Sequence, residues 1–263
     1  MPELPDVETF RRYLDANGLD RTIARTHVEA EDLLEGLTAQ GLGQRLKGRR
    51  LTATRRHGKY LFAARDDYDG WLVLHFGMSG FLQAVGPGES PPQHTRMTLD
   101  FEDGGVLAYA ALRKLGLIAW TDDPAAFAAA RGLGPDALAI ERAAFVQAVR
   151  CHRGGVKCWL MDQSALAGVG NVYSDEVLFQ AGLHPKRKGN RLGEAEADRL
   201  YDALHAVLEA AVDARADPDR LPEGHILPLR GKEAPCPRCG GPLSPIKACG
   251  RTGWYCPACQ PAG

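Results

Sequence analysis

Residues 236–259 read CPRCGGPLSPIKACGRTGWYCPAC, and this stretch decides the C-terminal part of the fold. It contains two Cys-x-x-Cys turns separated by sixteen residues. Each turn can wrap one side of a metal ion, so the pattern predicts one tetrahedral, all-thiolate Zn²⁺ site formed by Cys236, Cys239, Cys256 and Cys259. A closed site of this kind is structural, and the glycines around it indicate a small β-hairpin. Iron in the same site and two separate redox pairs are the alternatives.

The other three cysteines follow no metal-binding pattern. The chain has seven cysteines, and its first residues include acids but no apolar segment typical of a secretory signal. These features argue against a disulfide framework and favour a reducing, cytoplasmic compartment. We therefore expect Cys249 to be unpaired, and Cys151 and Cys158 to be ordinary buried thiols.

The composition is that of a globular protein. The chain has 263 residues, of which 44% are hydrophobic and 25% are charged. This length favours two domains over one. The longest apolar runs are too short to span a bilayer, so we expect no membrane partner. The hydrophobic and charged fractions also exclude collagen-like and disordered proteins.

The apolar pattern changes twice along the chain. Residues 7–14 have helical spacing, whereas residues 28–120 contain short apolar runs separated by Gly, Pro and Asp, which is typical of strands. Residues 121–138 predict a short helix and a linker, residues 141–212 are helical, and residues 213–233 predict a loop. We therefore predict an α+β protein with domains at 1–128, 129–230 and 231–263.

Charge is segregated although the net charge is only -1. Residues 41–65 contain eight Lys or Arg and no acid, and residues 186–191 form a second basic cluster. Residues 194–223 contain nine acids against three bases. Segregation of this kind fits a protein with one face for an anionic ligand. Ordinary solvated faces explain it equally well.

The first three residues, Met-Pro-Glu, suggest a nucleophile. Removal of Met1 would leave Pro2 with a free secondary amine. An α-amine has a pKa near about 8, against about 10.4 for lysine, so more of it is unprotonated at neutral pH. Such an amine can form an iminium with a sugar carbon, and Glu3 beside it can act as general acid or base. Taken alone, this start is common and has no functional meaning in most proteins.

Several segments, in order, resemble the formamidopyrimidine-DNA glycosylase and endonuclease VIII family. Leu4 is closer to the formamidopyrimidine branch. The resemblance covers the whole chain and includes the terminal zinc hairpin. The matching segments are MPELPDVE (1–8), HGKY (57–60), HFGMSG (75–80), LMDQ (160–163), GVGNVY (168–173) and LHP (183–185).

This resemblance implies four catalytic residues. Pro2 would attack C1′ of a damaged nucleotide, expel the base and form a Schiff base. Glu3 would be the acid that assists opening of the sugar ring. Lys59 would contact phosphate and supply a proton during β-elimination, in keeping with its basic surroundings. Arg251, in the zinc hairpin, would reach phosphate and assist δ-elimination.

The resemblance also implies DNA-binding residues. Asn171, with neighbouring backbone N–H groups, would hold a phosphate in a helix–two-turn–helix. Met78 would fill the gap left by the flipped nucleotide, although a lone Met is more often part of a core. Two positions depart from the family, because Leu115 replaces an aromatic residue and Asp6 replaces a Glu. The other implied DNA contacts are His94, Arg113 and Arg153.

Together these features predict an N-terminal β-sandwich with flanking helices and a C-terminal helical domain carrying the zinc hairpin. Double-stranded DNA containing oxidised bases or abasic sites would lie between them, with the target nucleotide flipped out. We expect a monomeric bacterial enzyme that acts in the cytoplasm, on the nucleoid. An endonuclease VIII-type glycosylase for oxidised pyrimidines, a lesion-binding protein that does not cut DNA and, most remotely, a zinc-ribbon interaction protein are the alternatives.

The preferred lesion is predicted from one further departure. Family members that read 8-oxoguanine resemble one another in a long flexible loop that closes over the flipped base. Here the corresponding segment, residues 212–235, is short, is acidic in its first half and is interrupted by proline. A short loop of this kind offers few free amides to a base. We therefore expect weak activity on 8-oxoguanine and better activity on ring-opened purines or oxidised pyrimidines, which are cheaper to flip.

Overall fold

A computed structural model describes residues 1–67, 69–231 and 234–262, which form two compact units. Unit 1 comprises Met1–Pro2 and Asp6–Arg131. Unit 2 comprises Glu3–Pro5 and Gly132–Gly263. The first residues of the chain are therefore divided between the two units.

In the residues that the structure describes, unit 1 is a β-structure with three α-helices. Strands β1, β7, β8 and β6 form one sheet in that order, and β2, β9, β5, β4 and β3 form the other. Neighbouring strands are antiparallel except β2 and β9, which are parallel. The elements are α1 (Leu4–Gly18), β1 (Ile23–Val28), β2 (Leu34–Glu35), α2 (Ala39–Leu46), β3 (Leu51–His57), β4 (Tyr60–Arg65), β5 (Trp71–His75), β6 (Gly80–Val85), β7 (Thr95–Phe101), β8 (Val106–Ala111), β9 (Leu117–Thr121) and α3 (Pro124–Ala130).

The core of unit 1 lies between its two sheets. Alternate residues of the strands belong to this core, such as Leu72 and Leu74 of β5 and Leu107 and Tyr109 of β8, although the residues between them are also buried. This period of two in the side chains that face the core is what a sandwich requires. Helix α1 adds Val7 and Leu14 to the same core, so one face of the helix that follows Pro2 is fixed.

Unit 2 is helical. Residues from α4 to α7 bury a continuous apolar core, and a smaller core that includes Phe179 and Ile226 lies beside the C-terminal hairpin. Gly182 ends α6 in the left-handed conformation, which glycine adopts most readily. The elements are α4 (Arg142–Cys151), α5 (Val156–Met161), α6 (Asn171–Ala181), α7 (Glu194–Asp213), β10 (Ser244–Ala248) and β11 (Arg251–Tyr255).

The predicted α+β class is confirmed, with a β-rich first part and a helical second part. Helix α2 was not predicted, because Gly41 and Gly43 lie inside it and both are poor helix formers. Its N-cap is Thr38, whose hydroxyl accepts a hydrogen bond from the Gly41 N–H. In the part of the chain that the structure describes, each helix is too short or too polar to cross a bilayer.

Candidate active site and metal centre

Glu3 is held by the N-terminal end of α6. Its carboxylate oxygens accept hydrogen bonds from the backbone N–H groups of Gly170 (2.7 Å), Val172 (2.9 Å) and Tyr173 (3.2 Å). The side chain is 2% exposed. The first N–H groups of a helix have no partner within the helix and lie at its positive end, so they favour a negative charge. The carboxylate that follows Pro2 is therefore held in place by three backbone donors.

Two glycines allow the residues after Pro2 to approach α6 closely. A Cβ atom on Gly170 would lie 2.5 Å from the Glu3 carboxyl carbon, and one on Gly168 would lie 2.7 Å from Leu4 Cδ1. Gly168 also has a φ of +117°, which favours glycine. The Leu4 N–H donates to the Gly168 carbonyl at 3.0 Å. We call residues 168–173 the Glu3 cradle.

The cradle departs from our expectation for this turn. We expected its N–H groups to hold a DNA phosphate with Asn171, but three of them bind Glu3 instead. The Asn171 side-chain N–H donates to the Thr252 carbonyl of β11 at 2.9 Å, and its Oδ1 is buried without a hydrogen-bond partner. Asn171 thus joins α6 to the hairpin that carries Arg251. Sequence spacing alone does not reveal this, because the partner lies 81 residues away.

In unit 1, Lys59 lies in a two-residue turn between β3 and β4. His57 pairs with Tyr60 across the turn, and Lys59 is 8% exposed. Arg56 donates to the Gly58 carbonyl at 3.1 Å and pairs with Glu8 of α1 at 3.3 Å. Burial opposes ionisation of Glu8, but Arg11 and Arg56 prevail and lower its pKa. The charged Glu8–Arg56 pair ties the Lys59 turn to helix α1.

His75 lies near the Lys59 turn and is neutral at physiological pH. Burial, together with the positive charges of Lys59 and Arg131, lowers its pKa to about 4. Its Nδ1 accepts a hydrogen bond from the Gly77 N–H at 3.3 Å, and its ring packs against Tyr60 with centroids 4.8 Å apart. A neutral imidazole avoids a further positive charge beside Lys59.

Met78, Arg113 and Leu115 lie close together at one edge of unit 1. The Arg113 N–H donates to Ser79 Oγ at 3.0 Å, and its guanidinium contacts Met78 Sδ at 3.3 Å. Met78 is 41% exposed and Leu115 is 56% exposed, so neither is a core residue. Gly77 has a φ of +57° and brings the Met78 loop against the Leu115 backbone. A Cβ atom on Gly77 would lie 2.5 Å from the Leu115 carbonyl, so only glycine allows this close approach.

His94 belongs to the same edge. Its carbonyl accepts from the N–H of Ala111, the last residue of β8, and its side chain is exposed. Its φ of +62° turns the chain just before β7. We name Met78, His94, Arg113 and Leu115 the wedge edge. An exposed apolar residue flanked by basic groups can enter a base stack while the cations hold phosphate.

Arg153 and Arg251 are exposed in unit 2. Arg153 lies in the loop between α4 and α5, and Arg251 begins β11, opposite Ala248 of β10. The hairpin thus presents Arg251 beside its turn. Both side chains are accessible to an anionic ligand.

A buried charged cluster around Asp175 was not found from the sequence. Its carboxylate pairs with Lys157, which is fully buried, and with Arg230 at 2.6 Å, and it accepts from the Trp254 N–H at 2.9 Å. Burial lowers the pKa of Lys157, although Asp175 opposes this effect. Lys157 also donates to the Asn171 carbonyl at 3.2 Å. The cluster therefore positions α6 and the hairpin together.

The four predicted cysteine ligands come together as a metal site. Their sulfur atoms all lie within 4.8 Å of one another. The Cys236–Cys259 and Cys239–Cys256 sulfur distances are 3.8 and 3.5 Å, which fit the separation of about 3.8 Å around a tetrahedral ion with bonds of about 2.3 Å. Burial and the neighbouring thiols raise the pKa of Cys259 to about 12, whereas a backbone hydrogen bond from Gly241 and the neighbouring thiols lower the pKa of Cys239 to about 7. A cation between the four sulfur atoms would favour their deprotonated form.

The remaining cysteines were predicted wrongly. Cys158 and Cys249 form a disulfide that joins α5 to the hairpin turn, although Cys249 was expected to be unpaired and Cys158 to be a free thiol. Their separation of 91 residues hid this pairing. Cys151 is free but exposed, not buried, because it ends α4 on a solvent-facing side.

The predicted loop before the zinc site is largely a packed segment, which we call the strap (residues 214–231). Short 3-10 helices form at Pro218–Arg220 and Leu227–Leu229, and Ile226 is fully buried. The Leu227 N–H donates to Glu176 of α6 at 2.7 Å, and Gln180 donates to the Gly224 carbonyl at 3.0 Å. With Arg230 on Asp175, these contacts hold the strap to α6. Residues 232–233 of the predicted loop lie outside the described residues.

Comparison with family models covers nearly the whole chain. The model "Formamidopyrimidine-DNA glycosylase N-terminal domain" matches residues 1–118, and "Formamidopyrimidine-DNA glycosylase H2TH domain" matches residues 132–220. "Zinc finger found in FPG and IleRS" matches residues 234–262, which contain all four clustered cysteines. The predicted structural zinc is thereby confirmed.

Individual relatives agree with the family models. The chain is 38% identical to the formamidopyrimidine-DNA glycosylase of Geobacter metallireducens and 36% identical to that of Halorhodospira halophila, over 99% of this chain and 100% of each relative. Among solved structures, it resembles Lactococcus lactis Fpg in complex with DNA containing an abasic site, with a TM-score of 0.89, 27% identity and coverage of 99% of this chain and 100% of that chain. A complex of the same Lactococcus lactis protein with FAPY-dG-containing DNA gives a TM-score of 0.86 at 28% identity, with the same coverage of both chains.

Proposed function

Because the chain belongs to the formamidopyrimidine-DNA glycosylase family and is a DNA glycosylase of base excision repair, we propose that it also cuts the strand through a Schiff base on Pro2. The family resemblance seen in the sequence is confirmed by these comparisons. The proposed additional activity is that of an abasic-site lyase, and it concerns the residues that act after the base has left.

The proposed reaction begins at the N-terminal amine. Met1 is 55% exposed, so an aminopeptidase can reach it and free the Pro2 nitrogen. That nitrogen forms a bond to C1′ and loses its proton, and the bond from C1′ to the damaged base breaks. The base leaves with the electron pair and takes up a proton. The sugar ring then opens between C1′ and O4′, O4′ gains a proton, and an iminium remains on Pro2.

The fixed carboxylate of Glu3 is the observation that carries this proposal. It follows Pro2 directly in the chain, and three backbone N–H groups hold it. A general acid must be placed within hydrogen-bond reach of the atom that it protonates, and a preorganised group does this without reorganisation at the moment of reaction. We assign Glu3 the delivery of the proton to O4′.

Strand cleavage follows from the iminium. It acidifies the C2′ proton, and loss of this proton breaks the C3′–O bond by β-elimination, so that the 3′ phosphate leaves with the electron pair. A second elimination removes the C4′ proton and breaks the C5′–O bond, so that the 5′ phosphate leaves in the same way. Water then hydrolyses the iminium and frees the Pro2 amine. We propose that Lys59 contacts phosphate and supplies a proton in the first elimination, and that Arg251 assists the second. The low exposure of Lys59 and its tie to α1 through Arg56 and Glu8 support a fixed position for its ammonium group.

The proposed partner is duplex DNA that contains an oxidised base or an abasic site. Asn171, Arg153, Arg251 and His94 would bind phosphate, while Met78 and Arg113 would occupy the space left by the flipped nucleotide. The relatives named above are bacterial, which supports action on the nucleoid in the cytoplasm. We further propose that one chain is sufficient, which sedimentation with and without DNA would test.

The strap supports a preference among lesions. A segment that closes over a flipped base needs free backbone N–H groups, whereas the Leu227 N–H of the strap is already bonded to Glu176. We therefore propose weak excision of 8-oxoguanine and faster excision of ring-opened purines. The same observation favours the second candidate function, an endonuclease VIII-type preference for oxidised pyrimidines.

Borohydride trapping on single-lesion duplexes tests chemistry and substrate together. The duplexes carry 8-oxoguanine opposite cytosine, a formamidopyrimidine, thymine glycol or an abasic site. We expect a covalent adduct on Pro2, identified by mass spectrometry after digestion. An adduct on an internal lysine would refute the mechanism, and binding with no adduct would favour the non-cleaving alternative. Fastest release of 8-oxoguanine would overturn the lesion preference.

A matched pair of lysine variants tests the lyase step. In Lys59→Met, we expect strand cleavage to slow more than Schiff-base formation. Lys47→Met removes an exposed lysine of the same unit and should leave both rates unchanged. Equal effects in the two variants would show that Lys59 takes no part in strand cleavage.

A further inference from the structure

A basic groove in unit 2 lies outside the site described above. It encloses about 440 Å³. Its lining is formed mainly by the segment after α6, residues 186–191, which we call the basic loop. The described residues that line the groove include no carboxylate, and they are His184, Lys186, Arg187, Lys188, Arg191 and Ala262.

The basic loop has a fixed backbone. The Val156 N–H donates to the Arg187 carbonyl at 2.8 Å, and the Gly189 and Asn190 N–H groups donate to the Gly154 and His152 carbonyls at 3.0 and 2.7 Å. Gly189 allows this close approach, because a Cβ there would lie 2.2 Å from the Val149 carbonyl oxygen. The loop is therefore a preformed part of the helical unit.

Most of the positive charge on this loop is not neutralised. Arg187 pairs with Glu196 at 3.3 Å. Lys186, Lys188 and Arg191 make no ion pair with any residue that the structure describes, and all three are exposed. Three adjacent unpaired cations repel one another, so an anionic ligand would stabilise the loop.

Arg153 belongs to the same surface. It lies between His152 and Gly154, the two residues whose carbonyls accept the hydrogen bonds from the basic loop. It is also exposed and has no ion pair among the described residues. The basic loop therefore extends the position at which we propose that Arg153 contacts DNA.

We propose that the basic loop binds backbone phosphates of the DNA duplex flanking the lesion, through Lys186, Lys188 and Arg191. This rests on the proposed DNA partner and adds a second contact region to it. The chemistry favours phosphate in a duplex, because the described lining is mainly cationic. The His184 ring in this lining already packs edge-on against Tyr255, with centroids 5.1 Å apart, and the lining contains no Phe, Tyr or Trp on which an unpaired base would stack. Contacts of this kind position the duplex and do not read its sequence.

The test compares two triple variants by fluorescence anisotropy across a salt series. The first is Lys186→Ser, Lys188→Ser and Arg191→Ser, which leaves the Arg187–Glu196 pair intact. The control is Arg199→Ser, Arg215→Ser and Arg220→Ser, which removes the same charge from α7 and the strap. Each is titrated with undamaged duplex and with duplex carrying an uncleavable abasic analogue.

The proposal predicts that the first variant loses about 2 to 3 units of the slope of log affinity against log salt, on both duplexes. Affinity at low salt should fall by about 10-fold or more, while the control keeps the wild-type slope. An unchanged slope, or an equal loss in the control, overturns the proposal. Calorimetry with pyrophosphate is the second measurement. Saturable binding that the first variant alone loses, with an unchanged DNA slope, would assign the groove to a small phosphate ligand and also overturn it.

These outcomes are separate from failure of the proposed enzyme function. Borohydride trapping of an abasic duplex at saturating protein should be unchanged in the first variant, because the basic loop holds none of the reacting groups. If the wild-type protein forms no adduct, the lyase proposal fails while the salt slopes still decide the role of the loop.

Discussion

The Glu3 cradle and the wedge edge place functional side chains in opposite ways. Glu3 is 2% exposed and bound by three backbone N–H groups, whereas Met78 is 41% exposed and touches Arg113 through its sulfur atom. The group proposed to transfer a proton is thus held rigidly. The group proposed to enter DNA is left free to change its contacts. Chemistry needs placement within a fraction of an ångström, while a wedge must adapt to a deformed duplex.

Removing the carboxylate from the cradle should have the largest effect. Glu3→Gln keeps the side-chain shape but removes the charge and the acid. We expect single-turnover base excision to fall by about 10²- to 10⁴-fold. Binding to an abasic-analogue duplex should change little, and Glu102→Gln, at an exposed carboxylate of unit 1, is the control. Excision at the wild-type rate would refute a catalytic role for Glu3.

Acid pH tests whether the region around Lys59 depends on a neutral His75. Its pKa is lowered to about 4 from an ordinary value of 6.5. The unfolded chain therefore binds a proton more readily between these values, and stability should fall as pH falls from 6.5 towards 4. The full effect is on the order of 3 kcal/mol.

Urea unfolding at several pH values measures this effect. We expect His75→Gln to flatten the pH dependence of the unfolding free energy in that interval, whereas His27→Gln, at an exposed position, should not. Parallel curves for His75→Gln and the wild type would show that His75 titrates alike in both states.

Crowding the cradle should have a smaller effect than removing its carboxylate. In Gly170→Ala, the new methyl group would lie 2.5 Å from the Glu3 carboxyl carbon and would displace it. Forced overpacking costs about 1 to 3 kcal/mol. We expect slower excision with DNA affinity retained, measured under single-turnover conditions. The control is Gly43→Ala on α2, where a Cβ atom meets no other atom within 4 Å. This variant should excise the damaged base at the wild-type rate.

At the wedge edge, Met78→Ala should have the smallest effect. We expect excision of a damaged base from duplex DNA to be about 10-fold slower. Cleavage of a single strand that carries an abasic site needs no base flipping, so its rate should change little. Phe81→Ala is the control, since Phe81 is also exposed but lies on β6. Leu115→Phe should restore an aromatic ring at this edge and increase the rate of excision from duplex DNA. Equal rates of duplex excision in the Met78 and Phe81 variants would show that Met78 takes no part in nucleotide flipping.

Local spacing made part of the molecule predictable. Two Cys-x-x-Cys turns specify a metal site because each turn places two sulfur atoms on one ion. Short apolar runs separated by Gly, Pro and Asp likewise predicted the strands of unit 1. The Glu3 cradle was missed because its donors are backbone N–H groups about 170 residues away, which leave no pattern in side-chain chemistry.

Long-range charge pairing was equally hidden. Asp175 was not distinguishable from any polar helix residue, although it binds Lys157, Arg230 and the Trp254 N–H. The polar composition of the strap predicted a loop, whereas the buried residues Ala214 and Ile226 and three contacts to α6 fix it. Propensity describes neighbours in sequence, and these contacts join neighbours in space.

The Cys158–Cys249 bond makes part of unit 2 a covalent ring. The ring contains α6, α7, the strap and the first zinc-binding pair, while Cys256 and Cys259 lie on the tail beyond it. A protease that cuts once anywhere between the two disulfide cysteines therefore leaves a single molecule. The severed halves stay joined until a reductant acts, and the zinc ion independently ties the tail back to the ring. A protein cleaved in the exposed parts of the strap would thus keep its two halves covalently joined under oxidising conditions.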